Sequence, residues 1–317
     1  MGHTETKEER TLENIYDVIV LGGVPAGCTA AMYCARSGLE TLLVEKMSVG
    51  GQMNQTTQID NYPGFDEGVD GFGLGMKMHA GAQKGGAQTK YGQVASVELT
   101  GEVKTLQLGS EKLYAKTVIL ATGADHKHLG LPGEEEMVGR GVAYCATCDG
   151  MFFRGKTVAV VGGGNSAVAD AIYLSRIAKQ VTIIHRRDSL RASKIYHDQL
   201  QKLENVQILW NHKVTGFKAE MKLTAAQLEN TVTGEQTELP LDGLFISVGR
   251  DPQTALFAGQ LELDSAGYIV ADETTKTSIP GVFAAGDVRT KAVRQIVTAA
   301  GDGAVAAYYA EEYLLNK

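Results

Sequence analysis

Cys145 and Cys148, separated only by Ala146 and Thr147, open the string Cys-Ala-Thr-Cys-Asp-Gly in a chain of 317 residues. Thiols this close can close a small disulfide that reopens readily, because exchange requires only a thiolate and a reachable sulfur. Downstream, the apolar run Thr157–Val161 ends in Gly162-Gly163-Gly164-Asn165-Ser166-Ala167. Glycines in this pattern, between a strand and a helix, let the backbone approach the pyrophosphate of a dinucleotide. A nucleotide loop beside a dithiol suggests a source of electrons to open it. The pair reads as machinery that moves electrons from a nicotinamide to a disulfide. Asp149, directly after Cys148, is placed to carry the thiol proton, although Asp149-Gly150 is also a good turn pair. The competing reading of the cysteines is half a zinc site. Tetrahedral zinc needs two further ligands, and neither a second C-x-x-C nor a suitably spaced histidine pair occurs, so no metal is expected.

The elements that must position this chemistry occur twice. Laying Gly22 on Gly162 aligns two segments without a gap. Tyr16–Leu21 reads as a strand and leads into Gly22-Gly23-Val24-Pro25-Ala26-Gly27, as Thr157–Val161 leads into the second loop. In the helices that follow, Ala31 matches Ala171, Tyr33 matches Tyr173 and Arg36 matches Arg176, and second strands follow over Leu39–Val44 and Val181–Ile184. Each segment is a βαβ unit with a right-handed crossover, and phosphates sit at such helix N-termini. The ends of the second strands differ. Glu45 offers a carboxylate to ribose hydroxyls, whereas His185 is followed by Arg186, Arg187 and Arg191, a cluster suited to a 2′-phosphate. The first site is therefore expected to hold FAD and the second NADPH; the bland alternative for the arginines is a solvated basic turn.

The chain then returns to the first unit. Ser278–Ala285 reads as a strand ending at Gly286-Asp287, and Ile296–Tyr313 as an Ala-rich helix. The first domain is thus discontinuous. Crossings fall near Gly123–Asp125 and Gly249–Pro252, each after a short apolar strand, giving a two-stranded hinge.

Composition sets the outer limits. With 44% hydrophobic and 21% charged residues the chain reads as soluble and globular, and a net charge of −7 argues against nucleic acid. The N-terminus is polar, and no run approaches the roughly 18 apolar residues of a membrane span, so a cytoplasmic protein is expected. Four cysteines do not make a secreted disulfide scaffold. Cys28 and Cys34 read as core residues, His126 and His128 as a solvated linker, and Trp210 and Tyr308-Tyr309 as packing residues.

Gly50-Gly51-Gln52-Met53, Asn61-Tyr62-Pro63-Gly64, Ala121-Thr122-Gly123, the Cys145–Gly150 string, His185-Arg186-Arg187, residues 281–288 and Arg294-Gln295 together carry a resemblance. The chain resembles the low-molecular-weight, bacterial-type thioredoxin reductases of the pyridine nucleotide-disulfide oxidoreductase family, over essentially its full length after about residue 14. The resemblance implies an α/β protein of two Rossmann-like, three-layer domains. Residues 1–124 would form the first part of an FAD domain (about 1–14 a flexible extension), 125–251 an NADPH domain carrying the dithiol, and 252–317 the second FAD part. FAD would be held by Gly22, Gly23, Pro25, Ala26, Gly27, Glu45, Lys46, Gly50, Gly51, Gln52, Asn61, Thr122, Gly123, Gly286, Asp287, Arg294, Gln295 and Ile296. NADPH would be held by Gly162, Gly164, Asn165, Ser166, His185, Arg186, Arg187 and Arg191. Cys148 would face the flavin, Cys145 would attack the disulfide of thioredoxin, and Asp149 would serve as general acid and base in a homodimer. Because nicotinamide and dithiol share one domain and must reach the flavin in turn, a rotation about the hinge is expected.

One residue departs from the family pattern. Val24 stands where the family, and this chain's own second loop, have glycine, and an isopropyl group there invites a clash with the pyrophosphate. Two rival readings stand beside the first: a related flavin disulfide reductase or dithiol oxidase acting on another redoxin or small dithiol, and, if Val24 costs the site its FAD, an FAD-poor nucleotide-binding redox sensor.

Overall fold

A computed structural model describes residues 15–56 and 58–317; the extension expected over residues 1–14 lies outside the described residues. Two compact units divide the chain. One runs to Asp125 and resumes at Asp251–Lys317, and the other is His126–Arg250.

Alternation of apolar residues decides the first unit. In β1 (Ile15–Leu21), Val18 and Val20 join one buried cluster, Ile19 and Leu21 another. A strand buried on both faces belongs in the middle of a parallel sheet. Its neighbours β2 (Thr41–Glu45) and β6 (Glu111–Leu120) are both parallel to it, with Val20 opposite Leu43 and Ile119. β3 (Gln88–Tyr91), β4 (Val94–Glu98) and β5 (Lys104–Leu108) complete the order β3-β2-β1-β6-β5-β4, and β17 (Val282–Ala284) pairs with β6. Helix α1 (Pro25–Arg36) packs between α2 (Gly71–Gly85) and α6 (Ile296–Leu315). Gly303 permits the α1–α6 approach, since a Cβ there would lie 2.2 Å from the Ala26 carbonyl oxygen.

The strand expected over Ser278–Ala285 shrinks to β17. Ile279-Pro280-Gly281-Val282 is a turn closed by Val282 N–H donating to the Ile279 carbonyl at 3.1 Å, with Gly281 at φ 77°. Proline and a left-handed glycine fit a turn and not a ladder.

In the second unit β8 (Val142–Ala143), β9 (Thr157–Val161), β10 (Gln180–His185), β11 (Val206–Trp210) and β15 (Gly243–Ile246) form a parallel sheet in the order β11-β10-β9-β15-β8. Val158, Val160 and Ile183 join a buried cluster with residues of α4 (Asn165–Leu174) and Leu200 of α5 (Lys194–Leu200). Ala159, Val161 and Ile184 instead meet Val214, Leu223, Ala226 and Leu228. These last come from an antiparallel sheet of β12 (His212–Ala219), β13 (Leu223–Asn230) and β14 (Gln236–Pro240). The crossing segments β7 (Ala124–His126) and β16 (Arg250–Pro252) pair as a two-stranded ribbon.

Candidate dinucleotide loops and redox disulfide

The first loop leaves β1 at Gly22, whose φ of 110° no side chain adopts comfortably. Val24 caps α1 without a side-chain hydrogen bond and Pro25 takes the first helical position. Amides in a helix's first turn lack intrahelical partners, so the N–H groups of Ala26 and Gly27 can serve a phosphate. Glu45, at the end of β2, is fixed beside them: its Oε2 accepts from Gly23 N–H at 2.6 Å and its Oε1 from Met47 N–H at 3.1 Å. Lys46 is exposed. Gly50 N–H donates to the Gly23 carbonyl at 2.8 Å, tying the Gly50-Gly51-Gln52 turn to the loop.

Val24 does not disturb the backbone. Its φ and ψ of −99° and 177° nearly equal the −94° and 179° of Gly164 in the second loop. Its side chain lies against the Gly51 turn: a Cβ on Gly51 would come within 2.6 Å of Val24 Cγ1. At Gly164 an added Cβ would meet nothing within 4 Å.

The other residues assigned to the first site gather in the same unit. Gln52 donates to the Ala124 carbonyl at 2.5 Å and to Asp125 at 3.2 Å. Thr122 Oγ1 donates to the Gln253 carbonyl at 2.7 Å, and Gly123 holds φ 76°. Asn61 donates to Gln295 at 3.1 Å, Gln295 caps α6, and Ile296 opens that helix. Asp287 follows Gly286, whose N–H donates to Asp302 at 2.9 Å. Arg294 lies over the Tyr268 ring at 4.2 Å. Arg294 Nε and Asn54 Oδ1 are buried polar atoms with no hydrogen-bond partner among the described residues. Such atoms are costly unless satisfied, so the site fits a bound polar group.

In the second loop Gly162 and Gly163 admit no side chain, because a Cβ would lie 2.5 Å from the Ser247 carbonyl oxygen and 2.1 Å from the His185 ring respectively. The α4 N-terminus has no side-chain cap; Asn165 and Ser166 are exposed there. Residues 186–193 wrap the loop. Arg191 N–H donates to the Gly163 carbonyl at 2.7 Å, and Ser193 N–H to Asn165 Oδ1 at 2.8 Å. Arg186, Arg187 and Arg191 are exposed. Among the described residues none of the three guanidinium groups makes an ion pair. His185, by contrast, is buried, with Nε2 2.9 Å from the Ser189 carbonyl oxygen and its ring edge-on to Trp210. Burial lowers its pKa and keeps it neutral, so it supports Gly163 by packing.

Cys145 and Cys148 form a disulfide with Cα atoms 5.3 Å apart. Cys145 caps the one-turn helix α3 (Ala146–Asp149): its Sγ accepts from Cys148 N–H at 3.2 Å and lies 3.4 Å from Thr147 Oγ1. A Cβ on Gly150 would press on Tyr173, Leu174 and Ile177 at 3.1 Å, so the dithiol turn rests against the end of α4. The helix that starts at the nucleotide loop therefore ends under the dithiol. Burial pushes the Asp149 carboxyl up to about 6.

Three side chains differ from expectation. His126 is not a solvated linker: it stacks on Tyr144 at 5.0 Å, and burial with the nearby Arg250 takes it down to about 4. Tyr308 is 63% exposed and meets the Tyr309 ring edge-on at 5.2 Å, so it packs on its neighbour at the surface. Asp170 of α4 gave no sequence signal, yet it is pushed up to about 6 by burial and accepts a hydrogen bond from Ser247. Cys28 and Cys34 are buried, with thiols raised to about 12, and are inert. Among the described residues no three His, Cys, Asp or Glu side chains are placed to hold a metal.

Two glycine loops opening helices, one with a carboxylate and one with exposed arginines, and a disulfide on the second unit define a dinucleotide-dependent disulfide oxidoreductase. The family model for pyridine nucleotide-disulphide oxidoreductases matches residues 16–303. The thioredoxin reductase of Listeria monocytogenes is 49% identical over 95% of each chain, and that of Bacillus subtilis 46% identical over 95% of this chain and 96% of its own. The crystal structure of a Streptococcus pyogenes thioredoxin reductase is 45% identical, covers 96% of this chain and 99% of its own, and superposes with a TM-score of 0.89. The chain belongs to the pyridine nucleotide-disulphide oxidoreductases and, within them, to the thioredoxin reductases.

Proposed function

We infer that this protein reduces the disulfide of thioredoxin with NADPH, through FAD and the Cys145–Cys148 pair. The observation that carries the reading is that disulfide, set on the unit whose glycine loop lies beside the exposed Arg186, Arg187 and Arg191. FAD is assigned to the Gly22–Gly27 loop, Glu45 and the Arg294–Ile296 segment, and NADPH to the Gly162–Ala167 loop with Arg186, Arg187 and Arg191. FAD supplies two-electron chemistry that joins hydride transfer to thiol exchange.

The protein's own steps follow from its sulfurs. Two electrons arriving at Cys148 break the S–S bond, and Cys145 leaves as a thiolate stabilised by the Cys148 amide and the Thr147 hydroxyl. Cys145 then attacks thioredoxin, forming a mixed disulfide and releasing one thioredoxin sulfur. Cys148 attacks Cys145 in turn, which restores the internal disulfide and releases the second thiol. Asp149 gives and takes the protons. The family resemblance supports a homodimer in the cytoplasm; among the described residues no helix is long and apolar enough to cross a membrane. The test is NADPH-dependent reduction of thioredoxins from the same organism, repeated with NADH; failure with every thioredoxin, alongside reduction of a small disulfide, would favour the rival substrate.

Asp149 gives a pH prediction. With its carboxyl near 6, the ionised base prevails as pH rises through that value, so turnover should climb there. Asp149→Asn should erase that rise and cut turnover at neutral pH by about 100-fold, the low end for general acid–base groups. Stability runs the other way. A carboxyl raised by burial favours the fold below the ordinary Asp range and loses that contribution as pH rises through about 6. Asp149→Asn should therefore melt above the parent at pH 8, with the difference closing by pH 3.5.

Val24→Gly is expected to slow FAD release, because it removes bulk beside the pyrophosphate at a backbone geometry that Gly164 already adopts. Flavin fluorescence after dilution reads the dissociation rate, and an unchanged rate would show that the Gly51 turn absorbs the side chain fully.

A further inference from the structure

The chain entering the dithiol is held by a network that the reaction above does not use. β8 ends at Ala143, and the next side chain, Tyr144, packs against the core formed beneath β12 and β13. The His126 ring stacks on it, and the His128 ring meets it edge-on at 5.2 Å. Its hydroxyl donates to Glu134 Oε1 at 2.6 Å and lies 2.8 Å from His128 Nδ1. Glu134 is only 3% exposed and accepts three backbone N–H groups, from Leu129, Gly130 and Leu131. Those bonds and the tyrosine hold its carboxyl below the usual range despite burial.

Proton counting fixes the direction of this chain of bonds. Glu134 is a carboxylate and can only accept, so it takes the single hydroxyl proton of Tyr144. The tyrosine keeps that proton, since burial and the neighbouring Glu134 push its hydroxyl well above the ordinary tyrosine range. The bond to His128 therefore needs a proton on Nδ1, and the order is His128 to Tyr144 to Glu134. The last acceptor is anchored to three backbone amides. Tyr144 is thus held at its ring by packing and at its hydroxyl by both neighbours.

We propose that Tyr144 is a positioning residue for Cys145, its hydroxyl bonds to Glu134 and His128 keeping the attacking sulfur at the cap of α3. Cys145 is the next residue, and its Sγ meets the Cys148 N–H and the Thr147 hydroxyl from that cap. Freedom at position 144 lets the sulfur leave both donors, and the thiolate then loses the hydrogen bonds that favour it. The proposal rests on Cys145 as the attacking thiol. It leaves hydride transfer untouched, because no residue of the nucleotide loops takes part.

The test is alkylation of Cys145 by iodoacetamide in the dithiothreitol-reduced holoenzyme, with the adduct located by peptide mass and thiolate absorbance followed against pH. Tyr144→Phe keeps the ring and loses the hydroxyl. It should slow Cys145 alkylation about tenfold, from the loss of one neutral and one charge-assisted bond. The Cys145 titration should move to higher pH, and kcat with thioredoxin should fall in step at unchanged KM. Flavin reduction by NADPH should keep its parent rate. His128→Ala, at a half-exposed position, should give a smaller loss of about threefold, and His128→Gln, which retains an N–H donor, should restore it. A Tyr144→Phe enzyme with parent alkylation rate and parent titration would overturn the proposal, even if its melting temperature fell. Thioredoxin turnover in Cys145→Ser would instead overturn the reading beneath it.

Discussion

Cys145→Ser and Cys148→Ser are each expected to abolish thioredoxin turnover while NADPH still reduces the flavin at an undiminished rate. The two sulfurs form one disulfide with Cα atoms 5.3 Å apart, carried on a single helical turn. Serine is nearly isosteric, so the turn and its rest against Tyr173 and Leu174 survive. What disappears is the bond that stores the electron pair, and exchange cannot proceed without a second sulfur to resolve the mixed disulfide. The two variants should also differ from each other. With Cys148 alone the remaining thiol is the one assigned to the flavin; with Cys145 alone it is the cap thiol, which should form a mixed disulfide with thioredoxin that the enzyme cannot resolve and that reverses only through thioredoxin's own released thiol. Stopped-flow flavin bleaching and non-reducing electrophoresis separate the two. Turnover surviving either change would exclude the dithiol as an obligatory carrier.

The parts of this fold that were legible in sequence are those whose geometry is local. β9 begins and ends where its apolar run does, because Gly162 forces the break. The paired glycine loops were legible because each glycine answers a contact within a few residues or with the adjoining strand. Ser278–Ala285 was misread because its apolar residues conceal the Pro280-Gly281 turn. The antiparallel sheet of β12, β13 and β14 left no clean alternation, β14 being almost wholly exposed. His126 misled for a different reason. Asp125 and Lys127 beside it look like linker, whereas its burial comes from the Tyr144 ring, a tertiary partner that no local pattern announces. Glu134 was invisible on the same grounds, its partners being mostly backbone amides. The buried Arg289–Asp302 pair, with Arg289 Nε 2.8 Å from Asp302 Oδ2, likewise joins a turn to a helix through side chains alone.

Arg186→Ala with Arg187→Ala is expected to lower kcat/KM for NADPH by about 30-fold or more and to leave that for NADH nearly unchanged. The double change thus removes about 2 kcal/mol of discrimination, the scale of charge-assisted bonds to one phosphate. Both guanidinium groups are exposed and without ion-pair partners among the described residues, so neither is committed to holding the fold. Their positions are nonetheless fixed by the backbone. Asn211 N–H donates to the Arg187 carbonyl at 3.1 Å and Thr231 Oγ1 to the Arg186 carbonyl at 3.2 Å, while Arg191 and Ser193 are tied to Gly163 and Asn165. A segment anchored at one end to Asn211 and Thr231 and at the other to the nucleotide loop can present cations to the ribose end of a bound nucleotide with little ordering cost. A solvated basic turn would behave otherwise: exposed charges at a distance are screened by salt, and the double change would then weaken NADPH and NADH use alike. Measuring kcat/KM for both nucleotides in the parent and the double variant, at low and high ionic strength, decides between the two. Equal efficiency with NADPH and NADH in the parent enzyme would refute the assignment outright.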